Sequence, residues 1–135
     1  MNYLIDTTAF VRILRRQVDQ AWHDQVSRGL VVICEPVVTE AVAIARAADY
    51  PRVLTAVHDT YPWVPVPETA WDTVREIRAL LAQHNVHQGL SVADYLVVVT
   101  ALHHRLVVLH DDPDFTSVAA VLPELRQQWI SEPLS

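Results

Sequence analysis

The chain contains no lysine: all ten of its basic residues are arginine, set against 16 acidic ones for a net charge of −6. That balance argues against a broad electrostatic grip on nucleic acid. It also weighs against any phosphoryl chemistry that relies on an ammonium group to offset phosphate charge. Cys34 is the only cysteine, so an internal disulfide and a cysteine zinc cluster are both excluded, and a lone buried thiol is the plain reading. Two glycines leave little room for linkers or low-complexity segments. No apolar run approaches the roughly 20 residues that span a bilayer, and "MNYLID" lacks the basic-then-apolar layout of a secretory signal. The expectation is a cytoplasmic protein with no membrane role.

What is present is apolar material in short runs. At 135 residues and 51% hydrophobic, the chain suits one compact domain, residues 1–135. Residues 2–5 read as a strand. From Phe10, the residues Val11, Leu14, Val18 and Trp22 recur at helical spacing, which predicts one helix through this stretch. "GLVVIC", 29–34, is a second buried strand, and "EPVVTEAVAIARAAD" follows as a helix with Pro36 in its first turn. A short helix is predicted from Asp49 to His58, and a short edge strand at "PWVPV", 62–66. Residues 68–83 form an amphipathic helix with Ala70, Val74, Ile77 and Leu81 on one stripe. From Ser91, "SVADYLVVVTALHH" is apolar nearly all round, as a buried helix would be. "RLVVLH" is a strand, "DDPDF" a loop, 116–121 a short helix and "QQWI" a last strand. Such alternation predicts an α/β fold of three layers, α/β/α, around a mainly parallel sheet.

In that architecture ligands gather beyond the carboxyl ends of the strands. Asp6 ends the first strand, and Asp111, Asp112 and Asp114 follow "RLVVLH". Asp94 returns to the same rim because its helix runs about 21 Å and the next strand climbs back about 20 Å. Glu40 lies about one turn into the helix that leaves the second strand. Each acid also has a purely structural reading: Asp6 as a helix cap, Asp94 in a capping box with Ser91, Asp114 as another cap, and "DDPD" as a solvated turn. Glu40 is harder to dismiss among Val37, Val38, Ala41, Val42 and Ile44, where a charge must face a rim or a cation. Acids gathered on one rim repel one another, and with no lysine the economical counter-charge is a divalent ion. Hard carboxylate donors suit Mg2+ or Mn2+, which can activate water against a phosphodiester.

In order and spacing, "YLIDTTAF", the glutamate of "EPVVTEAVAI", the aspartate of "LSVADYLVVVTAL" and "LVVLHDDPDF" resemble the four acidic motifs of PIN-domain ribonucleases. The likeness is strongest to the small VapC-type toxins of toxin-antitoxin pairs, and it covers essentially the whole chain. It implies a PIN-like fold and endonucleolytic RNA cleavage by metal-activated water. Asp6 and Asp94 would be the principal metal ligands with Asp112 completing the site, Asp114 would assist, and Glu40 would bind the metal directly or through water and help position the attacking water. Thr8 would support Asp6. The resemblance also implies a homodimer held by a cognate VapB-type antitoxin. His110 departs from the threonine or serine usual at its position, and "DDPD" leaves Asp111 as an alternative to Asp112. Asp112 is favoured because Phe115 then matches the aromatic that closes the motif. Two other readings stand beside this one: a non-catalytic PIN fold that only binds a partner, and a phosphatase with Asp6 as nucleophile. The absence of lysine weighs against the phosphatase. His84 and His87 read as loop residues rather than a zinc pair, and Arg12, Arg15 and Arg16 as either a solvated helix face or an RNA-backbone contact.

Overall fold

A computed structural model describes residues 2–134. Among them four parallel strands form the centre: β1 (Tyr3–Ile5), β2 (Val31–Val32), β3 (Val107–His110) and β4 (Gln127–Trp129), in the order β2-β1-β3-β4. Strand β1 aligns Tyr3 with Val31 on one side and with Val107 on the other, and β3 aligns His110 with Trp129. Every residue of β1 and β3 is buried. Uninterrupted apolar runs are what a parallel sheet covered on both faces demands.

Among the described residues seven α-helices flank the sheet: α1 (Thr7–Leu14), α2 (Gln20–Ser27), α3 (Glu35–Ala43), α4 (Tyr50–Thr60), α5 (Ala70–Gln83), α6 (Val92–His104) and α7 (Pro113–Val121). The result is the expected three-layer α/β/α arrangement. From β1 the chain first crosses outward to β2, then returns past β1 to β3 and β4. Right-handed crossovers in opposite directions leave on opposite faces, so a crevice opens between β1 and β3 at their carboxyl ends. The residues that follow these two strands, Asp6 and Asp111–Asp112, stand at its mouth.

Helix α5 buries Ala70, Val74, Ile77 and Leu81, the predicted stripe, and α6 buries Val97 through Ala101. Four expectations need correction. The single helix expected across Phe10–Trp22 is two, because the chain turns after Leu14 with Arg16 at φ 54°, and α2 begins only at Gln20. The helix expected to reach Asp49 stops at Ala43. The strand expected at 62–66 shrinks to one bridge, where Ile33 N–H donates to Pro62 O and Val64 N–H donates to Ile33 O. Pro62 and Pro65 have no N–H with which to extend it. The last helix starts earlier than expected: Pro113 opens it, so most of "DDPDF" is cap and first turn rather than loop.

Candidate active site

Asp6 leaves β1 and caps α1, accepting Ala9 N–H at 2.9 Å while Thr8 Oγ1 lies 2.8 Å from both carboxylate oxygens. It is only 2% exposed. No cationic side chain among the described residues bonds it. Burial, with the charge of Asp94 adding to it, pushes its pKa up to about 7 despite the hydrogen bonds from Ala9 and Thr8. A nearby cation would relieve the cost of holding such an acid ionised.

Asp94 enters through a capping box at the start of α6: Ser91 Oγ accepts Asp94 N–H, and the Asp94 carboxylate accepts Ser91 N–H, both at 3.1 Å. The structural reading of Asp94 is therefore realised, and it does not compete with a functional one, because the cap fixes the carboxylate at the rim. Burial raises its pKa, and the negative charges of Asp112 and Glu40 raise it further. These electrostatic couplings join Asp6, Asp94, Asp112 and Glu40, drawn from four different segments, into one acidic patch.

Glu40 lies on the exposed side of α3 and accepts a hydrogen bond from the Thr7 hydroxyl, so the charge that looked costly among valines faces the rim instead. Asp112 caps α7, its carboxylate taking Asp114 N–H at 2.9 Å. Burial and the neighbouring Asp112 both raise the pKa of Asp114. A Cβ on Gly89 would stand 2.8 Å from Asp114 Oδ1, so the 3-10 turn His87–Gly89 approaches that acid closely because residue 89 has no side chain.

The two candidate acids of "DDPD" have different surroundings. Asp111 points away from the other acids to Arg12, whose Nε donates to Oδ2 at 2.8 Å, whereas Asp112 lies within electrostatic reach of Asp94. Asp111 N–H donates to Thr8 Oγ1 at 2.9 Å, so one hydroxyl links the end of β1 to the end of β3. The sequence reading missed the Arg12–Asp111 pair. Its only trace there is spacing: Arg12 stands four residues after Thr8, on the same helix face. The contacts of Thr7 with Glu40 and of His110 with Asp112 were missed as well, and nothing in spacing announced them.

Among the described residues no three carboxylates or imidazoles stand close enough to enclose an ion unaided. The donor set nevertheless fits a hard divalent cation: oxygen ligands only, a buried carboxylate without a cationic partner among the described residues, and several acids that repel one another.

A fold that presents acids at the β1/β3 crevice defines a class, and the sequence profile of the PIN domain matches residues 3–121. The chain belongs to the PIN-domain family. Within it, the chain is 38% identical over 94 residues to Ribonuclease VapC6 of Mycobacterium tuberculosis, covering 69% of this chain and 74% of the relative. It is 29% identical to Ribonuclease VapC21 of the same organism over 133 residues, covering 98% and 96%. Its fold is shared with VapBC2 from Rickettsia felis, solved bound to a DNA fragment from their promoter, at TM-score 0.74 and 14% identity over 96% of this chain and 98% of that one. It is shared also with VapBC-5 from Mycobacterium tuberculosis, at TM-score 0.65 and 20% identity over 97% and 98%.

Proposed function

We propose that this protein is the ribonuclease toxin of a VapBC-type toxin-antitoxin pair, cleaving RNA phosphodiester bonds in the cytoplasm with Mg2+ or Mn2+. The observation that carries this reading is the gathering of Asp6, Glu40, Asp94 and Asp112 at one crevice, with no side-chain cation among the described residues bonded to any of them. The likeness to the VapC ribonucleases supports it independently.

Asp6, Asp94 and Asp112 would hold the ion together with water ligands, since no three of the described acids stand close enough to enclose it alone. When bound, it supplies Lewis acidity toward a phosphoryl oxygen and offsets the repulsion among the acids. The rest is done by the chain's own groups. Thr8 and the Ala9 N–H fix Asp6, Ser91 fixes Asp94, and the Asp114 N–H fixes Asp112. Glu40, exposed and bonded by Thr7, is the acid available to take a proton from the attacking water. Asp114 would assist from the first turn of α7, where its N–H donates to the Asp112 carboxylate. Beside the acids, Arg12 and Arg15 line a cleft of about 320 Å³ with Thr7, Gln17 and Asp111. Their guanidinium groups suit the phosphates flanking the scissile bond, which answers the objection raised by the chain's net charge.

The partner would be a VapB-type antitoxin, and the active form a homodimer. A second, larger cleft of about 640 Å³ lies among α1, α2, α3 and α4, with Leu14 and Ile44 at 63% and 65% exposure on its lip. An apolar antitoxin segment would cover both. That this fold is known from VapBC complexes supports such an occupant.

The test is hydrolysis of single-stranded RNA by the antitoxin-free protein. EDTA should abolish cleavage, Mn2+ should restore it, and Asp94→Asn should lower it by about a hundredfold or more. Cleavage that survives both the chelator and the substitution would overturn the proposal.

A further inference from the structure

Resting on the reading above, we propose that His110 is a positioning residue: its imidazole, oriented by Gln127, receives the Asp112 backbone N–H and thereby sets the direction of the fourth acid. His110 is the last residue of β3 and is fully buried. Its ring lies between Phe115 and Trp129, with centroids 5.2 Å and 4.9 Å away. Rotation of the ring is therefore blocked on two sides. Its two nitrogens face two different partners. Nδ1 stands 3.1 Å from the Asp112 N, which can only donate, so Nδ1 carries no proton. The proton is then on Nε2, and the group it faces at 2.6 Å must be an acceptor, Gln127 Oε1. Each assignment requires the other.

Any buried imidazole needs partners for its two nitrogens, so what distinguishes His110 is which group it captures. Here the group it captures is the peptide N–H of the residue whose carboxylate faces Asp94. The preceding N–H, that of Asp111, is held by Thr8 Oγ1, which also bonds Asp6. Two consecutive peptide groups are thus pinned from opposite sides, one by the segment after β1 and one by β3 with β4. Gln127 lies outside the stretch matched by the PIN-domain profile, which ends at residue 121. The anchor is therefore supplied by β4, beyond the four acidic motifs.

The experiment compares wild type with His110→Phe, which keeps an aromatic ring between Phe115 and Trp129 but has no nitrogen, and with His110→Asn, whose Oδ1 can take the place of Nδ1. Long-range nitrogen–proton correlation in the wild type should show the proton of His110 on Nε2. In His110→Phe, Asp112 amide exchange should quicken, and both Mn2+ affinity by calorimetry and kcat on RNA should fall by about 10- to 100-fold with KM little changed. His110→Asn should recover most of that loss. A proton on Nδ1, or a folded His110→Phe with unaltered Asp112 exchange and Mn2+ affinity, would overturn the proposal. If His110→Phe does not fold, Gln127→Leu decides by the same two measurements. Should the wild type neither bind Mn2+ nor cleave RNA, the functional reading fails by itself. Asp112 exchange then still decides the role of His110, quickening supporting it and no change refuting it.

Discussion

Asp6 is predicted to make the protein less stable than it would be with a neutral residue there, and replacing it with asparagine tests this directly. In the unfolded chain this carboxyl ionises near 3.8; in the folded protein burial raises it to about 7. The folded state therefore binds the proton more tightly. The stability this confers is fully present below pH 3.8 and is lost as pH rises through about 7. Each tenfold change in proton affinity is worth about 1.4 kcal/mol, so the loss amounts to about 4 kcal/mol above pH 8. The substituted amide would still accept the Ala9 N–H but would bond Thr8 less well, a cost of about 1 kcal/mol. In EDTA at alkaline pH, Asp6→Asn should be more stable by about 3 kcal/mol, a rise in Tm of about 10 °C, and below about pH 4 the advantage should vanish or reverse. Added Mn2+ should stabilise the wild type, by about 2.7 kcal/mol at a hundred times Kd, and leave the variant unmoved. Urea unfolding followed by circular dichroism across pH, with and without the ion, measures all of this. An Asp6→Asn protein that is less stable than wild type by the same margin at every pH would refute the account of a buried, unbalanced charge.

Three further outcomes are expected. Ser91→Ala removes one side of the capping box on α6 and should lower stability by about 1 kcal/mol in thermal unfolding, while Mn2+ affinity also weakens because Asp94 loses a constraint. Arg105 ends α6 in the left-handed region at φ 57°, so Arg105→Gly should raise stability by about 0.5–1 kcal/mol with cleavage unchanged. The double variant Leu14→Glu and Ile44→Glu, on the lip of the larger cleft, should leave RNA cleavage intact but lose inhibition by the antitoxin in a pull-down and activity assay.

The four acids were legible in the sequence because each ends an apolar run or sits one turn inside a helix that follows one, and strand and helix lengths alone return Asp94 to the level of Asp112. Sheet order could not be read so directly, since which strand neighbours which is decided by packing of whole layers. Nor could the role of His110, whose partners Gln127 and Trp129 are brought to it only by pairing of β3 with β4. Spacing carries no signal for a bond between a ring nitrogen and a peptide two residues on.

The two helices that periodicity makes too long end beside the same cleft. The apolar series Val11, Leu14, Val18, Trp22 continues past the true end of α1, and the run through Ile44 continues past the true end of α3. Hydrophobic periodicity counts every apolar side chain as facing the core. Leu14 and Ile44 do not face it: both stand exposed on the lip of the cleft among α1, α2, α3 and α4. Val18 and Trp22 carry the series past α1, and both pack on the core, but Trp22 does so from a second helix that begins at Gln20, so spacing alone does not register the turn between the two. The exposed pair Leu14 and Ile44 leaves uncovered hydrophobic surface beside the ends of α1 and α3, and this is the face that the proposed antitoxin would bury. Because α1 is capped by Asp6 and carries Thr8 and Arg12, a partner seated on that cleft would press on the helix that fixes the first acid and the arginine edge of the RNA track.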